Sequence, residues 1–272
     1  MIKNDKNYRE SLLYRHLEKM SVEELTFNIN YEDKKVALAI EAALPKINLL
    51  IEAIVGKLEN GGRLFYLGAG SGGRLSVLDA IELPTTYGIP KGTVNVILAG
   101  GVDRLIEARE EMEDDENAGW EALLGYDISE KDFVLGISAS GTTPFVLGAL
   151  KTCRANGTQT GCIVSNPESP IAEHADYPVE VLTGPEFVSG STRMKCGTAQ
   201  KMIFDMISTT CMIRLGRVED NKMVNVLLIN DKIIDRSVKM LMERAEIADY
   251  KEAKALLMDK GSVKNALSSL NK

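Results

Sequence analysis

Hydrophobic positions follow two different spacings along the chain, and the spacing changes near residue 60. Before that point apolar residues recur every three or four positions, which indicates helices. Ser21 followed by Glu24 fits a capping box that opens the first helix. Pro45 opens a second helical stretch, which Gly61 and Gly62 end. The apolar stripe of this stretch consists of Ile47, Leu50, Ile51, Ile54, Val55 and Leu58.

Short apolar runs that end in small residues follow, a pattern typical of buried parallel strands. Stretches long enough for helices, 74–82, 103–123 and 144–155, separate the first four runs. This alternation predicts an α/β fold with right-handed βαβ units and a doubly wound five-stranded parallel sheet in the flavodoxin-like order 2-1-3-4-5. The runs lie at residues 63–67, 94–98, 133–137, 161–164 and 178–182.

After the fifth strand an irregular polar stretch begins at Gly184, and helical patterns occupy the rest of the chain. Helices are predicted over 198–215 and 220–245, with one or two short helices in the tail, 246–272. We therefore expect an N-terminal helical arm, a central sheet domain and a short C-terminal helical segment, at residues 1–60, 61–217 and 218–272.

Charge and composition exclude several classes of protein. The chain has 272 residues, with 32 Lys and Arg against 39 Asp and Glu, a net charge of −7. This balance disfavours binding to nucleic acids or anionic membranes. The chain has no apolar stretch of about 18 residues that could span a membrane and no secretory signal, so we expect a cytoplasmic protein.

Cysteine and histidine give no sign of a metal site or of a histidine-dependent hydrolase. The cysteines show no CxxC spacing, and His16 and His174 are far apart in sequence. No GxSxG motif accompanies these two histidines. We expect no metal and four reduced thiols, at Cys153, Cys162, Cys196 and Cys211.

Two unusual loops follow the first and third strands, which meet at the switch point of this strand order. The first, residues 68–74, contains GxGxxG, but no acidic residue ends the second strand to bind a ribose, so no nicotinamide cofactor is expected. The second carries four hydroxyls directly before Pro144, at a helix start, where they could bind one phosphate or simply cap the helix. We predict that Ser138, Ser140, Thr142 and Thr143 bind the phosphate and that Ser71 is a secondary ligand of it.

Carboxylates are the expected acids and bases, because histidine is scarce. Glu82 lies among apolar neighbours, where desolvation would raise its pKa. Glu113 lies in an acidic run, where like charges would raise its pKa, although such a run could also be a solvated helix face.

Six motifs in register resemble the bacterial N-acetylmuramic acid 6-phosphate etherases of the sugar isomerase (SIS) domain superfamily, over residues of about 20 to about 240. They are Gly-Ala-Gly-Ser-Gly-Gly-Arg-Leu from Gly68, Asp-Ala-Ile-Glu-Leu-Pro from Asp79, Ala-Gly-Gly from Ala99, Glu-Glu-Met-Glu-Asp-Asp from Glu110, Ser-Ala-Ser-Gly-Thr-Thr-Pro from Ser138 and Ser-Gly-Ser-Thr-Arg-Met-Lys-Cys-Gly-Thr from Ser189.

The resemblance implies an SIS-type sheet, a homodimer and an enzyme without cofactor or metal. It implies that N-acetylmuramate 6-phosphate is cleaved to N-acetylglucosamine 6-phosphate and D-lactate, by elimination across C2–C3 of the open sugar and addition of water. By motif position Glu82 and Glu113 are the catalytic acids, and Gly72 stands where the family usually has serine. Further substrate-binding residues implied by the motifs are Ser189, Ser191 and Lys195.

Two alternatives stay open at this point, a non-catalytic sugar-phosphate sensor and a phosphosugar isomerase. The retained glutamates favour the enzyme over the sensor, and no helix-turn-helix segment suggests a transcription factor.

The predicted helices would carry Glu82 and Glu113 away from the loops. We therefore expect at least one of them, Glu82 rather than Glu113, to reach the sugar bound by a partner subunit.

Overall fold

The structure is a computed structural model that describes residues 13–105 and 110–270. The chain forms two compact units, one of Met1–Ala80 with Val94–Ile207 and one of Ile81–Thr93 with Ser208–Lys272. Within the described ranges, no helix is both long and apolar enough to cross a membrane.

The first helix, α1, spans Val22–Glu59. Its predicted capping box is confirmed, because the Ser21 hydroxyl accepts the Glu24 N–H and the Glu24 carboxylate accepts the Ser21 N–H. The predicted second start at Pro45 was wrong, since this proline lies inside α1. All six residues of the predicted stripe are buried and continue a face begun by Val36 and Ile40, and burial of that face outweighs the missing proline N–H.

Five parallel strands form the sheet, in the predicted order β2-β1-β3-β4-β5. The register sets Gly68 beside Leu98 on one side and Ile137 on the other, so the loops after β1 and β3 start next to each other. The strands are β1 Leu64–Gly68, β2 Val94–Leu98, β3 Phe133–Ile137, β4 Gln159–Val164 and β5 Tyr177–Glu180.

Helices cover both faces of this sheet. On one face, Phe65 and Val134 of the strands share a buried cluster with Leu150. On the other, a side chain added at Gly161 would meet Leu50 of α1. The helices of this region are α2 Gly70–Tyr87, α3 Ala118–Leu124, α4 Pro144–Ala155, α5 Pro170–Glu173 and α6 Lys195–Arg214.

The single helix predicted over 103–123 was wrong in the described part of that range. Two 3-10 turns, Val102–Arg104 and Glu110–Asp114, precede the short α3, and residues 106–109 lie outside the described residues. The reason is local: the Asp115 carboxylate accepts the N–H groups of residues 117 and 118, which starts α3 anew instead of continuing an earlier helix.

The second unit contains a small helical core. The helix predicted over 220–245 begins only at residue 231, because Asn230 caps it by accepting the Ile233 N–H, and a short hairpin of β6 Val218–Glu219 and β7 Lys222–Met223 precedes it. The three helices are α7 Asp231–Ala245, α8 Tyr250–Lys260 and α9 Val263–Leu270. Their buried core consists of Val238, Leu241, Ala253, Leu257, Val263 and Ala266.

Candidate active site

A cavity of about 350 Å³ lies at the carboxyl ends of β1 and β3, within the first unit. Both predicted loops contribute to it, together with the 3-10 turn Glu110–Asp114, the stretch before α6 and α6 itself. Its lining residues are Ala69, Gly70, Ser71, Gly72, Arg74, Glu113, Ile137, Ser138, Ala139, Ser140, Thr143, Thr192 and Gln200.

The hydroxyls of the second loop form one connected cluster at the start of α4. Ser138 Oγ lies 3.2 Å from Ser140 Oγ and 2.9 Å from Thr143 Oγ1, and the Thr142 hydroxyl donates to Ser140 Oγ at 3.1 Å. Thr143 is the N-cap residue of α4, but its side chain makes no capping hydrogen bond. Capping therefore does not account for this loop, whose hydroxyls stand beside the positive end of a helix dipole.

The first loop is itself the first turn of a helix. α2 begins at Gly70, four residues before the predicted start at 74, so the N–H groups of residues 70–72 precede the first hydrogen bond of this helix, from the Gly73 N–H to the Ala69 carbonyl. Gly73 allows this close turn, because an added Cβ would lie 2.9 Å from the backbone of Gly68. At Gly72 an added Cβ would lie 2.8 Å from Gln200 Oε1 and 2.7 Å from the Ile137 side chain.

Glu113 is half-buried and lines this cavity, alongside the hydroxyl cluster. It lies in the 3-10 turn Glu110–Asp114, so its predicted displacement along a helix from residue 103 was wrong. Nor is it part of a solvated helix face, since Glu113 is half-buried, whereas the acidic residues around it, Glu111, Asp114, Asp115 and Glu116, are exposed.

Glu82 lies in α2, in the part of the chain that belongs to the second unit, and does not line this cavity. Its carboxylate side chain is exposed in the single chain, contrary to the burial that its apolar neighbours predicted. The reason is helix periodicity: Leu83 is buried, whereas Leu78 and Ile81 share the outer face with Glu82 and are 42% and 63% exposed.

Four predicted substrate-binding residues do not line the cavity. Thr142 contacts it only through its hydrogen bond to Ser140. Ser189 is exposed and Ser191 is half-buried, both before α6. The fourth, Lys195, is buried and forms an ion pair with Glu32.

Lys195 is 2% exposed, and its ammonium donates a hydrogen bond to Glu32 of α1 at 2.7 Å. Burial would raise the pKa of Glu32, but hydrogen bonds from Lys195, Lys35 and Tyr14 outweigh it and lower that pKa to about 2. A buried lysine with an ionised partner is held in place by charge pairing in a low dielectric. Lys195 therefore ties α6 to α1, and the substrate-binding role implied by its motif is not what its contacts support.

Three polar residues of the cavity lining were not predicted from the sequence: Arg74, Thr192 and Gln200. Arg74 lies in the motif that starts at Gly68 and Thr192 in the motif that starts at Ser189, and their polar side chains near loop glycines could have indicated them. Gln200 had none, because only the packing of α6 brings it to the cavity.

The four cysteines are buried free thiols. Burial raises the pKa of Cys153 and Cys162 to about 12 and that of Cys196 to about 11, which leaves these thiols protonated and unreactive. In the described ranges, no group of three or more His, Cys, Asp or Glu side chains is arranged to hold a metal.

Comparisons with known proteins agree on the family. The model of the glucokinase regulatory protein N-terminal SIS domain matches residues 46–154, and that of the SIS domain matches residues 124–209. An N-acetylmuramic acid 6-phosphate etherase of Bacteroides thetaiotaomicron is 53% identical, over 94% of this chain and 92% of its own length. An etherase of the same name from Porphyromonas gingivalis is 52% identical, over 95% of this chain and 94% of its own length. One from Salmonella agona is 43% identical, over 89% of this chain and 81% of its own length.

Solved structures share the fold at low identity. A phosphoheptose isomerase from Francisella tularensis has a TM-score of 0.53 at 16% identity, covering 73% of this chain and all (100%) of that one. One from Neisseria gonorrhoeae has a TM-score of 0.53 at 13% identity, covering 70% and 97%. These likenesses bear on the fold alone.

Proposed function

The chain belongs to the N-acetylmuramic acid 6-phosphate etherases of the SIS domain superfamily, and from this we propose which of its residues carry out the reaction. It is a carbon–oxygen lyase of amino sugar recycling that converts N-acetylmuramate 6-phosphate to N-acetylglucosamine 6-phosphate and D-lactate. One observation carries the site assignment: Glu113 lines the same cavity as Ser138, Ser140 and Thr143 of the hydroxyl cluster.

The hydroxyl cluster binds the 6-phosphate of the substrate. Ser138, Ser140 and Thr143 line the cavity at the N-terminus of α4, and Ser71 lines it at the N-terminus of α2. Two helix N-termini and several hydroxyl donors suit a phosphate dianion. Thr142 does not contact the phosphate itself but orients the Ser140 hydroxyl by donating a hydrogen bond to it.

The reaction needs one base and one acid near C2 and C3 of the open-chain sugar. The C1 aldehyde acidifies the C2 proton, so a carboxylate can remove it. The electrons of the C2–H bond form the C2–C3 double bond. The bond from C3 to the lactyl oxygen breaks as a carboxylic acid protonates that oxygen. Water then adds, its hydroxyl to C3 and a proton to C2. Glu113 and Glu82 supply the two carboxyl groups.

Glu82 serves the cavity of a second copy of the chain. Leu78 and Ile81 flank it on one face of α2 and are exposed, and an exposed apolar face around an acid is typical of a surface that a partner covers. A homodimer with composite sites would bring this face to the neighbouring cavity. The cytoplasmic location expected from the sequence stays a prediction.

Release of D-lactate from N-acetylmuramate 6-phosphate tests this assignment. Glu113→Gln and Glu82→Gln should each lower turnover about 100- to 10,000-fold with the fold and sugar-phosphate binding retained, as expected for acid–base groups. In heavy water, the product should carry deuterium at C2. If either variant turns over at the wild-type rate, the glutamate that it replaces takes no part in the mechanism. If the wild-type protein binds the sugar phosphate but releases no D-lactate, the result would favour a sensor. If it interconverts an aldose phosphate and a ketose phosphate, the result would favour an isomerase.

A further inference from the structure

Gln200 is a buried amide without a partner, at the edge of the cavity. It lies in α6, is 2% exposed and lines the cavity beside the phosphate loops. In the part of the chain that the structure describes, its Nε2 has no hydrogen-bond partner. Buried polar groups are paired in nearly all proteins, so an unpaired donor in a side chain that lines a cavity leaves a hydrogen bond for a ligand to complete.

The carboxamide of Gln200 lies against Gly72 of the first loop, where the Ile137 side chain also approaches. A Cβ added at Gly72 would lie 2.8 Å from its Oε1 and 3.1 Å from its Nε2, and 2.7 Å from the Ile137 side chain. Gly72 follows Ser71 in the first loop, and Ile137 precedes Ser138 in the second. Any side chain at residue 72 would clash with the carboxamide, so the glycine at this position leaves the space that the Gln200 side chain occupies.

The geometry points to the substrate phosphate as the missing partner, and we propose that Gln200 Nε2 donates a hydrogen bond to a phosphate oxygen. The two segments beside the carboxamide are those that carry Ser71 and Ser138, and an N–H donor requires an acceptor such as a phosphate oxygen. This inference rests on the proposed function, which assigns the phosphate to this cavity. It makes Gln200 a substrate-binding residue that joins α6 to both loops.

Two replacements separate hydrogen bonding from packing. Gln200→Met keeps the length of the side chain and removes the donor, and Gln200→Glu keeps its shape and places a carboxylate near the phosphate. Gln159→Met is the matched control, because Gln159 lies in β4, away from the cavity, and bonds the Tyr177 hydroxyl. Ser140→Ala serves as a reference for loss of a phosphate ligand.

The experiment measures the dissociation constants of inorganic phosphate and N-acetylglucosamine 6-phosphate by calorimetry, the Tm of each variant, and D-lactate release. Gln200→Met should weaken both ligands about 10- to 100-fold, the effect of one hydrogen bond to a charged group, and should raise KM with kcat little changed. Its Tm should not fall, because an unpaired buried donor is removed. Gln200→Glu should weaken binding further by repulsion.

The outcomes are distinguishable. Unchanged phosphate affinity in Gln200→Met, beside a clear loss in Ser140→Ala, overturns the role of Gln200 and leaves the proposed function standing. A loss of kcat with phosphate affinity intact also overturns it, because the amide would then act on the sugar. If the wild type neither binds these ligands nor releases D-lactate, the proposed function fails and this inference with it.

Discussion

Lys195 illustrates how neighbours, rather than residue type, set a role at the scale of single residues. A lysine inside a glycine- and serine-rich motif suits phosphate binding, yet its ammonium is bonded to Glu32 and its backbone N–H to the carboxylate of Glu186. Glu186 also accepts the Cys196 N–H, so its negative charge sits at the N-terminus of α6. These contacts fix the start of the helix that carries Gln200.

The pair of Glu32 and Lys195 gives a pH-dependent prediction. The folded pKa of Glu32 is about 2, below its ordinary value of 4.5. Its contribution to stability is therefore complete above pH 4.5 and is lost as the pH falls through 2. Glu32→Gln should destabilise the protein by about 3–5 kcal/mol at neutral pH, because Lys195 is left buried and unpaired.

Urea unfolding of the wild type and Glu32→Gln at several pH values checks this. The difference in unfolding free energy should shrink as the pH falls below 4.5, and adding Lys195→Met to Glu32→Gln should recover much of the stability. A difference that is the same at every pH would contradict an ionised Glu32 in the folded state.

At the scale of elements, α4 links the two halves of the cavity. Its N-terminus follows the hydroxyl cluster, and its Gly148 packs against the segment that carries Glu113. A Cβ at Gly148 would overlap the carbonyl oxygen of Glu116 and lie 2.9 Å from its carbon. Backbone atoms cannot rotate aside, so this glycine sets how close the Glu110–Asp114 turn comes to α4.

Gly148→Ala should therefore displace Glu113 while leaving the phosphate loop intact. A shift of about 1 Å in a catalytic group can lower turnover about 100-fold. Phosphate affinity should change little, because the hydroxyl cluster is held by hydrogen bonds within its own loop. Gly56→Ala in α1 is the matched control, with nothing within 4 Å of the added Cβ. Steady-state kinetics of both variants checks this, and normal turnover in Gly148→Ala would disprove the link.

At the scale of the whole molecule, the cavity in the first unit is lined by loop hydroxyls and by Glu113, whereas Glu82 is exposed on α2. A symmetric pair of chains would give each cavity both acids, because the same surface is used twice about a two-fold axis.

Mixing Glu82→Gln with Glu113→Gln tests this assembly. If Glu82 acts on the neighbouring cavity, each mixed dimer has one intact site and one site with both lesions. Random subunit exchange should then restore about a quarter of wild-type activity, because half of the dimers are mixed and each has one working site of two. D-lactate release is measured before and after exchange, with exchange followed by tagged subunits. Confirmed exchange without recovery would mean that both glutamates serve their own chain.

The sequence by itself determined the α/β class, the order of the five strands, the buried stripe of α1 and the two loops that meet at the cavity. Each follows from local information: hydrophobic period, glycine and proline positions, and hydroxyls before a helix start. The motifs in register also identified the family. The strand order followed because a chain of five alternating strands and helices matches the common flavodoxin-like arrangement of doubly wound sheets.

Only the tertiary structure decided the rest. Pro45 stays inside α1 because a continuous buried face stabilises that helix, and no local signal reports such long-range packing. Glu113 reaches the cavity because Asp115 restarts the helix after it. Lys195 is paired with a residue 163 positions away, and Gln200 meets loops from two other segments. These contacts join distant parts of the chain. The charge pairing of Lys195 and the unpaired donor of Gln200 can therefore be identified only in the folded structure.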